Sequence, residues 1–158
     1  MPTPTASDMT CGKLIPLDIV LAALPSGVKL TGPFTQKFPD FPNDLICSYH
    51  SSDGSYLVGA GYNPDRTFDQ AVAGVQSMLS NSVGAKCASS TIGSKSTECT
   101  YIMTAGNIVF SKTTDVIFIT SNGKFDISVN AMTPGNGPDS IRVAEQVAKQ
   151  INSNLSAH

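Results

Sequence analysis

Four cysteines, Cys11, Cys47, Cys87 and Cys99, constrain this chain more than any other residues in it. No two are separated by the two-residue gap of a zinc knuckle or a thioredoxin-type redox pair, and His50 is the only internal histidine. A metal site is therefore not expected. An even set without metal spacing reads as two disulfides, which persist in oxidising compartments outside the cytosol. The competing reading is four separate buried thiols. Of the three connectivities open to four cysteines, the sequential pairing Cys11–Cys47 and Cys87–Cys99 joins segments that the expected topology already brings together. Each bond would contribute roughly 3 kcal/mol, mainly by restricting the unfolded chain.

At 158 residues the chain is long enough for one core and short for two. Charged residues make up only 14% and the net charge is −2; Ser, Thr, Asn and Gly take their place, a surface common among exported bacterial proteins. With no basic run there is no positive stripe to displace counterions from nucleic acid, nor a polybasic patch for anionic lipid. MPTPTASDMT has neither the basic start nor the apolar run of a signal peptide. Residues 1–10 read instead as a disordered linker remnant, as though an export segment had been removed, and 11–158 as a single domain. No stretch approaches the ~18 apolar residues that cross a bilayer.

Periodicity places a short helix over 14–24, LIPLDIVLAAL, with Pro16 in its first turn. Residues 26–44 read as a long Pro/Gly-punctuated loop. Strands at 45–51 and 55–63 flank Ser52-Asp53-Gly54, a hairpin signal. A helix capped by Thr67 or Asp65 follows, with Phe68, Val72, Val75, Leu79 and Val83 as its apolar stripe. Residues 84–97 read as a small-residue loop. Strands at 98–104, 107–113, 115–121 and 124–132 are separated by Ala105-Gly106, Thr113-Thr114 and Asn122-Gly123. Asp139 or Ser140 then caps a last helix that turns Ile141, Ala144, Val147, Ala148, Ile151 and Leu155 inward. The expected fold is α+β, order α-ββ-α-ββββ-α: a mainly antiparallel sheet of about six strands with helices packed on one face.

Catalytic chemistry is not legible. There is no nucleophile-elbow motif, and His50, Ser51, Ser52 and Asp53 crowd one hairpin turn where they cannot form a triad. Asp40 and Asp44 flank Pro42, a spacing that more often caps turns than makes an acid/base pair. Gly59 and Gly61 sit in a strand, where glycine marks a bulge or a close backbone approach. His158 reads as a terminal remnant. No cofactor is expected. The candidate binding residues are Phe34, Phe38 and Phe41, within the ring that Cys11–Cys47 would close, together with Tyr49 and Tyr56. Burying each Phe ring on the domain would contribute roughly 1.5–3 kcal/mol, so these rings either plug the sheet end or line an apolar groove.

A cysteine heading a helix with Leu14 and Leu17, followed by Cys47-Ser48-Tyr49 in the first strand, resembles the actinobacterial exported lipoproteins of unknown function. Residues 11–155 are also similar to the extracellular sensor domain of mycobacterial receptor serine/threonine kinases, a two-disulfide α+β module with a cleft. The chain departs from the lipoprotein pattern in having Tyr49 where Trp is usual, and it lacks the lipidated cysteine. The resemblance implies an extracytoplasmic protein, secreted or held on the outer face of the cell membrane by a lipid anchor. It brings no catalytic residues. The expected role is a non-catalytic binding or sensor module of the cell envelope, for a lipid or other small apolar or amphiphilic ligand or for an envelope protein. The alternatives are a hydrolase acting on cell-wall polymers and a structural or assembly protein of the envelope.

Overall fold

Pro16 divides the first helical segment. A proline inside a helix removes a donor and clashes with the preceding turn, so the expected single helix is two: α1, Cys11–Leu14, and α2, Leu17–Ala23, with Pro16 as the N-cap of the second. The structure is a computed structural model that describes residues 8–79, 84–105 and 108–157, with backbone alone at 105 and 108–110. Residues 1–7, Val83, Gly106 and His158 lie outside it, so the expectations placed on them are not addressed. Of the expected linker remnant, the last residues belong to the fold. Met9 is buried in the core, and Thr10 accepts from the backbone N–H of Lys13 at 3.3 Å.

Seven strands follow rather than about six: β1 Leu30–Phe38, β2 Phe41–Ser51, β3 Leu57–Tyr62, then after helix α3 (Phe68–Leu79) β4 Lys86–Ser89, β5 Lys95–Ala105, β6 Ile108–Ile119 and β7 Asp126–Pro134; helix α4, Ser140–Ser156, ends the fold. Three corrections to the expected elements concern strand pairing. The loop expected over 26–44 contains β1 and the start of β2. Proline is admitted there because β1 is a sheet edge, where its missing N–H faces solvent. The small-residue loop of 84–97 contains β4. The strands expected at 107–113 and 115–121 are one continuous β6, because the supposed Thr113-Thr114 turn is buried and satisfied from elsewhere: Thr114 Oγ1 and Ser140 Oγ share a hydrogen bond of 2.8 Å. The turns at Asp53-Gly54 and Asn122-Gly123 are as expected. Both glycines have φ of +75°, and their N–H groups close the turns onto Ser51 and Thr120.

The sheet order is β1-β2-β3-β7-β6-β5-β4, antiparallel throughout. It consists of two meanders joined where β3 pairs with β7. The chain leaves β3 in the middle of the sheet and re-enters at the far edge, β4. α3 is that crossover, and it packs on β5 and β6. Its start is a reciprocal cap: Thr67 Oγ1 accepts from Gln70 N–H at 3.1 Å, and Gln70 Oε1 accepts from Thr67 N–H at 2.9 Å. α4, capped by Asp139, which accepts from Ile141 N–H at 3.0 Å, packs on β6 and β7.

The two sheet faces differ. One carries Cys47, Tyr49, Val58, Ala60, Ile127, Val129, Val116 and Phe118 in cross-strand register and buries them beneath α4 and α2. Val143, Ala144, Val147, Ala148, Ile151 and Leu155 meet them from α4. α2 is fastened to α4 by Arg142 and Gln146, which donate to the carbonyls of Ala23 and Ala22 at its C-terminal end. Both sequential disulfides are formed. Cys11–Cys47 clamps α1 to β2, and Cys87–Cys99 bridges directly paired residues of β4 and β5. Tyr49 reinforces the first clamp by donating its hydroxyl to the Ile15 carbonyl at 2.9 Å.

Candidate functional site

The second face of the sheet is only half roofed. α3 lies over β5 and β6, whereas α1, α2 and α4 are all on the other side, so among the described residues no helix lies over the surface of β1, β2, β3 and β7. One row of paired residues crosses the whole face: Phe34, Ser48, Gly59, Asn130, Asp115, Cys99, Cys87. Beside it runs Gln36, Ile46, Gly61, Ser128, Ile117. The middle of both rows is small, and a trough forms there because no side chain fills it.

The two glycines of β3 mark its floor. A Cβ on Gly59 would come within 2.7 Å of the Cys47 carbonyl oxygen; one on Gly61 would meet Ser128 Oγ at 2.7 Å and Ile46 Cδ1 at 2.8 Å. The β2–β3 register is unbroken through both, so of the two readings for strand glycine, close approach applies and bulge does not. Val75 and Met78 of α3 form one wall; Ile46, Leu57 and Ile117 add apolar surface, and the enclosed volume is about 340 Å³. Met78 remains 69% exposed.

Among the described residues one ionisable side chain lines this groove, Asp115. It is 9% exposed; Oδ1 accepts from Asn130 Nδ2 at 2.6 Å, while Oδ2 has no hydrogen-bond partner. Burial pushes its carboxyl pKa up, against the lowering effect of the Asn130 bond. The Ser128 end of the groove is fixed by a polar network. Asn63 Nδ2 donates to Ser128 Oγ at 3.3 Å and its Oδ1 accepts from Arg66; Arg66 in turn pairs with the fully buried Asp44 at 2.8 Å.

The five residues expected to bind do not converge. Phe34 (49% exposed) is on the groove's face of the sheet, edge-on to His50 with ring centroids 5.1 Å apart, and lines a separate hollow of about 390 Å³ with Thr31, Ser51 and Ser52. Its strand is four strand spacings from that of Asp115, about 19 Å at 4.8 Å each. Phe38 (36% exposed) pairs with Phe41 at the β1–β2 hairpin end, where the Arg66 guanidinium sits 4.6 Å above the Phe41 ring. Tyr49 is 2% exposed in the core on the opposite face, and Tyr56 packs against that same core. Phe34 thus lines a hollow of its own, apart from the groove beneath α3, while Phe38 and Phe41 meet at the hairpin end.

The groove residues Asp115, Asn130, Ser128, Val75 and Met78 were not among the binding residues expected from the sequence. The signals available were the strand glycines and the polar residues around Thr113-Thr114, a pair that reads as a turn before a strand beginning at Asp115. On the core side, Glu98 and Glu145 form a carboxyl pair between β5 and α4. Burial first, then the hydrogen bond and like charge of Glu145, push the Glu98 pKa up to about 7. Among the described residues no group of three or more His, Cys, Asp or Glu side chains is placed to hold a metal ion, and no helix is long and apolar enough to cross a membrane.

Compared with known proteins, no family model matches this chain, and no curated protein does. Fold and site define a class, a two-disulfide α+β protein with an antiparallel sheet and a groove under one crossing helix. The disulfides indicate an oxidising, extracytoplasmic environment.

Proposed function

We propose that the chain is a non-catalytic binding or sensor module of the cell envelope, secreted or anchored to the outer face of the membrane, that holds a small amphiphilic ligand in the groove between α3 and the sheet. The observation that carries this reading is the combination of an apolar wall from Val75 and Met78 with a floor kept open by Gly59 and Gly61. Ligand sites are concave, mostly apolar and furnished with a few polar groups, and this groove has that composition. The likeness of the Cys11 helix and the Cys47-Ser48-Tyr49 strand to actinobacterial exported lipoproteins and to mycobacterial kinase sensor domains supports the envelope setting and the lipid anchor.

The rival readings fit the geometry less well. A hydrolase of cell-wall polymers uses two carboxylates held some 5 to 9 Å apart across the substrate. Among the described residues the groove supplies Asp115 alone, and the neighbouring carboxyls Glu98 and Glu145 lie on the core side of the sheet, away from it. An assembly protein would offer an open strand edge. β1 is interrupted by Pro33 and two register shifts, and β4 has only four residues, features that blunt edges.

Native mass spectrometry of protein purified from its own host tests the proposal. The expected result is a small-molecule adduct that is lost in Val75→Trp, a variant that fills the groove from α3. Protein that carries no adduct and captures no partner would overturn it.

A further inference from the structure

The groove's chemistry selects the polar end of its ligand. Among the described residues its lining contains Asp115 and no Lys, Arg or His. A carboxylate or phosphate head entering it would meet a buried acidic side chain with no compensating cation among the described residues, an unfavourable arrangement. Asn130 already donates to Asp115 Oδ1, and Ser128 Oγ already accepts from Asn63. The acceptor left without a donor is Asp115 Oδ2. Native proteins pair buried polar atoms, and one left over calls for an explanation; here the residue that bears it lines a cavity.

We propose, building on the reading of this groove as a ligand site, that it takes an amphiphile whose polar end donates hydrogen bonds and carries no negative charge, of which a primary alkyl amine is the type. The donor head lies at Asp115, with the apolar body along Val75, Met78, Ile46 and Leu57. At roughly 30 Å³ per non-hydrogen atom, the share of a water molecule in the liquid, a volume of about 340 Å³ holds about eleven such atoms, the size of a ten-carbon chain with its head. The other titratable groups around Asp115 do not replace the ligand's donor. Tyr101 is near enough for the Asp115 charge to raise its pKa but makes no hydrogen bond to Asp115 Oδ2, and Cys99, directly opposite Asp115 on β5, is held in a disulfide.

The test is calorimetric titration at pH 7 with decylamine, decan-1-ol and decanoate. The expected result for the unaltered protein is that decylamine and decan-1-ol bind at least tenfold more tightly than decanoate. In Asp115→Asn the preference for decylamine over decanoate should fall to threefold or less, with decan-1-ol binding retained. If decanoate binds as tightly as the other two and Val75→Trp abolishes all three, the groove is a ligand site but the assignment of the head group is overturned. If none of the three binds the unaltered protein, or Val75→Trp binds them unchanged, the groove reading itself fails. The head-group comparison is made on the unaltered chain, so it does not depend on the folding of any variant.

Discussion

Single side chains in this molecule work mainly through burial. Asp44 illustrates the stakes. It is fully buried, accepts from Arg66 Nε at 2.9 Å and from the backbone N–H of Asp65 at 3.3 Å, and so ties the start of β2 to the turn after β3. Removing one partner of a buried pair leaves the other charge uncompensated, at a cost of about 3–5 kcal/mol. Arg66 keeps partial access to water, so Asp44→Ala should sit at the low end, about 3 kcal/mol, measured by urea unfolding; a loss below about 1 kcal/mol would show that the pair does not hold this corner. Glu98 supplies a pH dependence. Its carboxyl holds a proton better folded, with a pKa of about 7, than at its ordinary 4.5. The folded state therefore binds the extra proton between those values, and the stability it gains is complete below about 4.5 and is lost as pH rises through about 7. Asp115 and Asp126, also raised by burial, act with the same sign. The informative comparison is thus between variants: melting temperature should fall less from pH 5 to pH 7.5 in Glu98→Gln than in the parent. Equal slopes would remove Glu98 from the account.

Elements are held by unequal staples. Cys11–Cys47 spans 36 residues and Cys87–Cys99 spans 12, so loop-closure entropy assigns about 4 and about 3 kcal/mol respectively. The first also anchors α1, whose four residues are too few to persist alone. Its Cys47 is fully buried, whereas Cys87 lies exposed on the β4 edge strand. Under limiting reductant, alkylation and mass spectrometry should find Cys87 and Cys99 labelled before Cys11 and Cys47. The double variant Cys11→Ser/Cys47→Ser should lower the melting temperature by roughly 10 °C, at 2–4 °C per kcal/mol for a chain of this size. Labelling in the reverse order would contradict the burial argument.

At the scale of the whole molecule, the two faces of one sheet divide the labour. α4 and α2 close one face into the core. On the other, a single crossover helix spans from the middle of the sheet to its edge and roofs only half, so an unfilled trough is left beside it. Val75→Trp adds volume at the wall of that trough and removes none from the core. It should therefore leave unfolding free energy within about 1 kcal/mol of the parent while abolishing the stabilisation that a bound amphiphile confers. Thermal melts with and without decylamine report both quantities. A large loss of stability in the absence of ligand would mean that the trough is already packed.

The local pattern of the chain was sufficient for much of this. The caps at Thr67 and Asp139, the apolar stripe of α4, the glycine turns at 53–54 and 122–123, and the two sequential disulfides with the compartment they indicate all follow from residues that act on near neighbours or from cysteine count. What the tertiary structure alone decided concerns pairing. A proline-bearing segment became β1 by pairing with the adjacent β2 at the edge of the sheet. The polar run 113–115 became the middle of β6 because Ser140 and Asn130 satisfy it from 26 and 15 residues away. The groove arose because α3 had to cross half a sheet to reach β4. Helical and strand periods report which side of an element is apolar; they carry no information about which remote donor meets a buried acceptor, and that meeting determines both where β6 runs and where the site lies.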